Sequence, residues 1–152
     1  MNNLIIRTAT EADHHCWLLL WQAYQAFYKT TVAHEVTLAT WHRLLEPNEP
    51  MYLMLAEYDE KIVGFAHVIE HPSSWTVNNY GYLQDLYVAE EYRGFGIGRV
   101  LIEKVYAMAE FEGWSRVHWL TQEGNIQARG LYDKLAEPSG FIQYRKNLPI
   151  TH

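Results

Sequence analysis

The sequence predicts a single α/β domain in which helices cover both faces of a mixed, twisted sheet. Three observations predict it. Apolar runs of strand length alternate with amphipathic runs of helical length, in the order β-α-α-β-β-β-α-β-α-β. Two neighbouring strand-like runs, Met51 to Tyr58 and Ile62 to Ile69, flank the polar triplet Asp59-Glu60-Lys61 as a hairpin would. Helical segments separate the other strands and act as crossovers, and hairpins combined with crossovers give a mixed sheet. The 152 residues contain no repeat and no linker, so one domain is expected over residues 1–152. A chain of that size buries roughly two thirds of its unfolded surface without disulfides.

Each element has its own signal. Leu4 to Thr8 reads as a first strand. Thr10 then offers an N-cap, with Glu11 and Asp13 in the first turn where the helix dipole favours acids. Trp17, Trp21, Tyr24 and Tyr28 recur at helical spacing. That stripe reads as core, and its far end also suits an aromatic wall for a cationic substrate. Val36 to Glu46 is a second helix, ended by Pro47 and Pro50. After the hairpin, His71-Pro72-Ser73-Ser74 opens a loop, and Tyr80 to Val88 is another strand. Gly98 to Glu112 places Leu101, Val105, Met108 and Ala109 on one face, with Glu103, Lys104 and Glu110 off it. Trp114 to Leu120 reads as a strand. Asn125 to Leu135 reads as a helix with Ile126, Leu131 and Leu135 inward. Phe141 to Arg145 reads as a last strand.

Composition narrows the function. Lys and Arg total 12 against 18 Asp and Glu, a formal charge of −6. Such a surface repels nucleic acid and favours cationic partners such as amines or basic peptides; it also keeps a small protein soluble. Cys16 is the only cysteine, so no intrachain disulfide forms. The first residues lack the pattern of a signal peptide, and no apolar stretch approaches membrane-spanning length. A cytoplasmic setting is expected. The eight histidines, including the adjacent His14 and His15, show no metal-ligand spacing, so no metal site is expected.

The informative stretch runs from Leu83 through Val88 to the loop Arg93-Gly94-Phe95-Gly96-Ile97-Gly98 and on into a helix. A strand feeding a glycine-rich turn feeding a helix is a phosphate site in physical terms. The helix start leaves backbone N–H groups unpaired, and its dipole favours negative charge there. Gly96 and Gly98 let the backbone approach the phosphate oxygens, and Arg93 adds a permanent charge. The P-loop pattern is absent, and the third glycine falls one residue too early for the dinucleotide fingerprint.

Arg93, Gly96 and Gly98 fill the pattern Arg/Gln-x-x-Gly-x-Gly/Ala, and this segment resembles the cofactor loop of the GNAT (Gcn5-related) N-acetyltransferases. Asn125-Ile126-Gln127-Ala128-Arg129-Gly130-Leu131-Tyr132-Asp133-Lys134-Leu135 resembles a second stretch of that family, and the resemblance covers nearly the whole chain. The run Tyr82 to Val88 with Tyr92 to Gly98 looks closest to polyamine acetyltransferases and to a subgroup linked to histone and D-amino-acid acetylation. The resemblance implies a mostly antiparallel sheet and acetyl-coenzyme A as co-substrate. It implies that the strand around Leu86, Tyr87 and Val88 splays from its neighbour and pairs with the pantetheine arm. An N–H near Val88 would polarise the thioester carbonyl. The loop through Arg99 would hold the pyrophosphate, Asn125 would bind the pantetheine, and Tyr132 would protonate the leaving thiolate. A phenol of pKa about 10 can donate to a thiolate whose acid has a pKa of about 8.5.

Two departures matter. Similar polyamine enzymes carry Glu where this chain has Gln84, and Gln cannot take a proton from an ammonium. Asp85 is next door but faces the other side of a regular strand; a local bulge would re-aim it. Glu35 in the early loop and a water chain are the other candidates, while Tyr28, Glu35 and Gln84 are candidate substrate contacts. Secondly, Leu135 is followed by Ala136-Glu137-Pro138-Ser139-Gly140-Phe141, with room for one strand where the family forms two. The resulting open edge predicts a homodimer or dimer of dimers, with Phe141 to Lys146 at the contact. The sequence therefore predicts an N-acetyltransferase that brings an amine and acetyl-coenzyme A together in a ternary complex. The alternative is an acyl-CoA-binding regulatory module with little catalysis. The substrate loops, roughly Phe27 to Thr40 and His71 to Asn79, carry no transferable motif.

Overall fold

The computed structural model describes residues 3–150, and the chain divides into two compact units, Met1–Trp119 and Leu120–His152. In the first unit, β1 (Leu4–Thr8), β2 (Met51–Tyr58), β3 (Lys61–His71), β4 (Tyr80–Val88) and β5 (Arg116–His118) form one sheet in that spatial order. The first three pairings are antiparallel and the fourth is parallel, so the sheet is mixed and mostly antiparallel. α1 (His14–Phe27) and α2 (His34–Leu45) cover one face, and α3 (Ile97–Glu112) covers the other.

The aromatic stripe of α1 builds the first core. Trp17 is fully buried; its ring lies nearly parallel to that of Trp21 at 5.9 Å and 5.0 Å from that of Trp41 on α2. Leu44, Leu53, Leu55 and Phe65 close the cluster. Burial falls along the stripe, from Trp17 and Trp21 through half-buried Tyr24 to Tyr28, which is 42% exposed. On the other face α3 buries Leu101, Ile102 and Val105, each worth roughly 1.5–3 kcal/mol of transfer free energy. Gly64 permits the close approach of β4 to β3, because a Cβ there would lie 2.8 Å from the Tyr87 carbonyl oxygen.

Local chemistry sets the ends of the elements. Thr10 caps a short 3₁₀ turn, Glu11–Asp13, and α1 follows at His14. The Asp13 carboxylate accepts the Thr10 N–H at 2.8 Å and both Arg7 Nη groups at 2.8 Å. The Arg7 hydrogen bonds, opposed by burial, hold Asp13 down at about 2. The β2–β3 hairpin forms as expected, although its turn is Asp59-Glu60, both at positive φ (51° and 67°). Two left-handed residues make a turn whose twist matches the strands, a role usually given to Asn-Gly.

Several boundaries differ from the sequence reading; β3, for one, runs on through His71. α2 begins at His34, because the Val36 and Thr37 N–H groups both reach the Ala33 carbonyl at 3.0 Å. Glu35 is thus in a first helical turn, not a loop. α3 begins at Ile97, one residue early, with Gly96 as its cap. β5 is only Arg116–His118, where Trp114 to Leu120 was expected. Buried Trp114 packs under Gly81, whose added Cβ would lie 2.5 Å from the Trp114 ring, so β5 has just three rungs with Tyr80–Tyr82. Phe141 to Arg145 forms no strand. Its alternation lacks a ladder partner, and Phe141, Ile142 and Tyr144 remain 89%, 79% and 88% exposed. In the second unit the regular element among the described residues is α4 (Ile126–Leu135). His152 lies outside the described residues.

Candidate active site

β4 changes character along its length. Its early residues pair with β5, but only as far as Tyr82. On the β3 side, Val88 lies opposite Gly64 and Leu86 opposite Ala66. The Ala89 N–H donates to the Val63 carbonyl at 2.8 Å, one step outside the Gly64–Val88 pair. In an antiparallel ladder, hydrogen-bonded pairs alternate with non-bonded pairs, so this bond marks Gly64–Val88 as non-bonded. Leu86 and Val88 therefore turn their main-chain N–H and C=O groups away from β3. They face the edge that β5 leaves open among the described strands. Near Leu86 and Val88, β4 has no β5 partner, because β5 ends at His118.

The loop after β4 continues that main-chain surface. Gly94 and Gly96 have φ values of 88° and 80°, and a Cβ built on either meets nothing within 4 Å. Glycine is required there for its left-handed backbone, not to relieve crowding. The space in front of the loop is open. α3 starts at Ile97, so the N–H groups of its first turn lie at the loop's end. The Ile97 side chain is buried in the core at 2% exposure, so only its main chain belongs to this surface. Phe95 is 48% exposed, and Arg99 bonds Glu103 one turn along at 3.2 Å. Arg93 donates Nε–H to the Val88 carbonyl at 2.9 Å, and its guanidinium sits 5.4 Å from the Phe27 ring and 5.3 Å from the Tyr87 ring. It ties the end of β4 to the end of α1 and still carries its charge beside the loop. This arrangement fits the pyrophosphate and pantetheine arm of coenzyme A: donors at a helix start, glycines facing open space, and a main-chain edge without a strand partner.

Beside that edge lies a side-chain network. His67 pairs with Asp85 and Val68 with Leu83, so Gln84 is an extra residue, a β-bulge. The bulge leaves Gln84 exposed and puts Asp85 opposite His67, on the α1 face. Asp85 Oδ1 accepts from the Tyr24 hydroxyl at 2.9 Å, and Oδ2 lies 2.9 Å from His67 Nδ1. His67 Nε2 lies 3.0 Å from Trp17 Nε1. An indole N–H only donates, so His67 Nε2 is the acceptor and the imidazole proton sits on Nδ1, donated to Asp85. The His67 side chain is 3% exposed and that of Asp85 is 16% exposed.

Asp85, Tyr87, Val88 and Arg93 thus come together with Tyr24 and Phe27. Tyr28 contacts the rings of Tyr24 and Phe27, at 5.2 and 5.1 Å. Exposed Glu35 takes no part in the hydrogen bonds around Asp85. In the second unit, Asn125 caps α4 by accepting the Ala128 N–H at 3.4 Å, and Tyr132 lies two turns further along that helix, half-buried. Sequence reasoning missed His67, and it read Trp17 and Tyr24 as members of an aromatic stripe, core with a far end suited to a cationic substrate, without the hydrogen bonds they make. No motif links residues 17, 24, 67 and 85; only the strand register joins them.

The family model described as "Acetyltransferase (GNAT) family" matches residues 14–136. The D-amino-acid N-acetyltransferase HPA3 of Saccharomyces cerevisiae is 36% identical over 148 residues, covering 96% of this chain and 92% of that one. A thialysine N-epsilon-acetyltransferase of Mus musculus is 35% identical over 89 residues, 55% of this chain and 52% of its own. Among solved structures, a ribosomal-protein-alanine N-acetyltransferase from Brucella melitensis superposes with a TM-score of 0.80 at 23% identity, over 95% of this chain and 99% of that one. That likeness shows the fold.

Proposed function

This chain belongs to the acetyltransferase (GNAT) family and is an acetyl-CoA-dependent N-acetyltransferase, and we propose that its acceptor is the primary amine of a small cationic molecule or basic peptide, acetylated by direct attack within a ternary complex. One observation carries the reading: the open main-chain edge at Leu86 and Val88 runs directly into a glycine loop and a helix start. The edge suits the amides of a pantetheine arm, and the loop suits a pyrophosphate. The acidic charge of −6 and the aromatic end of α1 support a cationic acceptor. Relatives whose names specify D-amino acids and thialysine also act on amines.

Each residue has a role in this reading. The Val88 N–H donates to the thioester carbonyl as charge builds on its oxygen. Asp85 accepts a proton from the acceptor ammonium, and the nitrogen's lone pair forms the C–N bond while the C–S bond breaks. Of the two protons the nitrogen loses, one passes to Asp85 and then to water. The other balances the proton that Tyr132 gives to the thiolate. Tyr28 and Gln84 line the acceptor's approach, and Asn125 holds the pantetheine. The reading treats residues 1–152 as one acetyltransferase domain in a cytoplasmic setting. It also takes the protein to be a homodimer or dimer of dimers, supported by the exposed Phe141, Ile142 and Tyr144 in a segment without a ladder.

The test is thiol release from acetyl-CoA with polyamines, amino acids, aminoglycosides and basic peptides as acceptors. A basic acceptor is expected to give the highest kcat/KM, and its rate falls as salt rises. A preference for a neutral or anionic acceptor overturns the substrate reading. A sedimentation run with only a monomer at micromolar concentration overturns the assembly.

A further inference from the structure

We propose that His67 is a positioning residue for acetyl transfer, held by Trp17 in one tautomer so that its Nδ1–H, together with the Tyr24 hydroxyl, fixes the Asp85 carboxylate to receive the acceptor's proton. The inference rests on the reading of Asp85 as proton acceptor.

The geometry leaves His67 little freedom. Trp17 is fully buried, and its indole N–H has His67 Nε2 as its partner at 3.0 Å. A ring flip, or protonation at Nε2, strands that N–H in an apolar core. Nδ1 therefore always presents a proton to Asp85 Oδ2 at 2.9 Å. The other tautomer would set a lone pair against a carboxylate and push it away. Packing alone does not call for this arrangement. The rings of Trp21, Phe65 and Trp17 surround His67 at 5.3, 4.6 and 6.0 Å, an environment that an apolar side chain would fill as well. What an apolar side chain cannot do is hold Asp85. Beyond the bulge at Gln84, Asp85 sits on a strand with no neighbour on one side among the described strands, so its aim depends on the two donors across from it.

The groups facing this chain come from four elements. β4 contributes Asp85; α1 contributes Tyr24 and, on the far side of Trp17, His14 at 6.2 Å between rings. α2 contributes the apolar Trp41 and β2 contributes Leu53. His67 is thus the group in contact with Asp85 whose tautomer can change once its Nε2 is released.

Three variants of the full-length protein test the proposal, each checked by thermal melting and acetyl-CoA calorimetry. Trp17→Phe keeps an aromatic ring and frees His67 Nε2. Its kcat/KM is expected to fall several-fold relative to wild type, because a His67 no longer held in one tautomer stops fixing the Asp85 carboxylate. His67→Leu is expected to lower kcat about 10²-fold with acetyl-CoA affinity unchanged. His67→Asn keeps a donor near the Nδ1 position and is expected to restore most of that loss. In the wild type, ¹⁵N NMR is expected to report an unprotonated Nε2 and a protonated Nδ1 on His67. Wild-type kcat in both Trp17→Phe and His67→Leu, or a protonated His67 Nε2 in the wild type, overturns the proposal. Asp85→Asn separates the two readings. If it is as active as wild type, the assignment of Asp85 fails. If it is inactive while His67→Leu is fully active, only the positioning role fails.

Discussion

β4 presents two polar surfaces within four residues, and they are made of different material. At Leu86 and Val88 the polar groups are main chain, exposed because one neighbouring strand ends early. At Asp85 they are side chains drawn from α1, β3 and β4 and joined through a β-bulge. A main-chain surface is indifferent to most side chains and sensitive to whatever changes backbone conformation. A side-chain surface is the reverse, because each member is satisfied by one specific partner. A strand can therefore hold a general cofactor and a particular acceptor side by side, and the second can change without disturbing the first.

Substitutions that strike one surface and spare the other test this division. The largest effect is expected outside both surfaces, at a side chain of the second unit. Tyr132→Phe removes the hydroxyl assigned to the thiolate, and kcat should fall about 10²- to 10⁴-fold with acetyl-CoA affinity intact. Steady-state kinetics beside calorimetry check it; near wild-type turnover makes Tyr132 structural. Next comes the main chain itself. Gly96→Val forces a β-branched residue to φ near 80° and points methyl groups into the open space before the loop. Acetyl-CoA affinity should drop at least tenfold while far-UV circular dichroism is unchanged, and unaltered affinity removes the loop from the cofactor site.

Arg93→Met is smaller still. It deletes the Nε–H donated to the Val88 carbonyl and the charge over Phe27 and Tyr87, so a three- to tenfold loss of acetyl-CoA affinity is expected, roughly the worth of one hydrogen bond. A larger loss of kcat would mean that the two surfaces are coupled through this residue.

Asp13→Asn supplies the baseline, since it touches neither surface. Asp13 titrates at about 2 in the fold against an ordinary 3.8, which corresponds to roughly 2 kcal/mol of stability. A depressed carboxylate contributes fully above its unfolded value and loses that contribution as pH falls through its folded value. The stability gap between wild type and variant should therefore be full at pH 7 and close between about pH 4 and pH 2. Denaturant unfolding at several pH values checks this, with turnover at pH 7 unchanged.

The two surfaces were also unequally legible in the sequence. The glycine loop was readable because Arg93, Gly96 and Gly98 lie within six residues and glycine spacing directly encodes backbone geometry. The strands and helices around it followed from apolar periodicity, and even the Asp59-Glu60 turn could be placed between its strands. The Asp85 network was not readable. A bulge shows only in register, and Gln84 became the extra residue because of how β3 pairs. Trp17 and Tyr24 were visible as core, yet nothing in a helical stripe says that an indole N–H meets a histidine 50 residues away. Phe141 to Arg145 failed for a related reason. Its alternation satisfies a strand pattern, but a strand also needs a partner, and none is available among the described strands.

The three-rung ladder between β4 and β5 also sets a clock. Its rungs form only after the chain has passed through all of α3, so the entropy of closing that long loop is spent for very few bonds. By contrast, the β2–β3 ladder grows from a two-residue turn and is central in the sheet. The amides of Val117 and His118 should therefore exchange with deuterium well before those of Met54 and Ala66, a bonded pair of the β2–β3 ladder, by opening that leaves the rest of the sheet closed. Because β5 stops where the edge of Leu86 and Val88 begins, each such opening lengthens that edge for a moment. Local opening of this kind exposes more unpaired main chain of β4 without unfolding the domain.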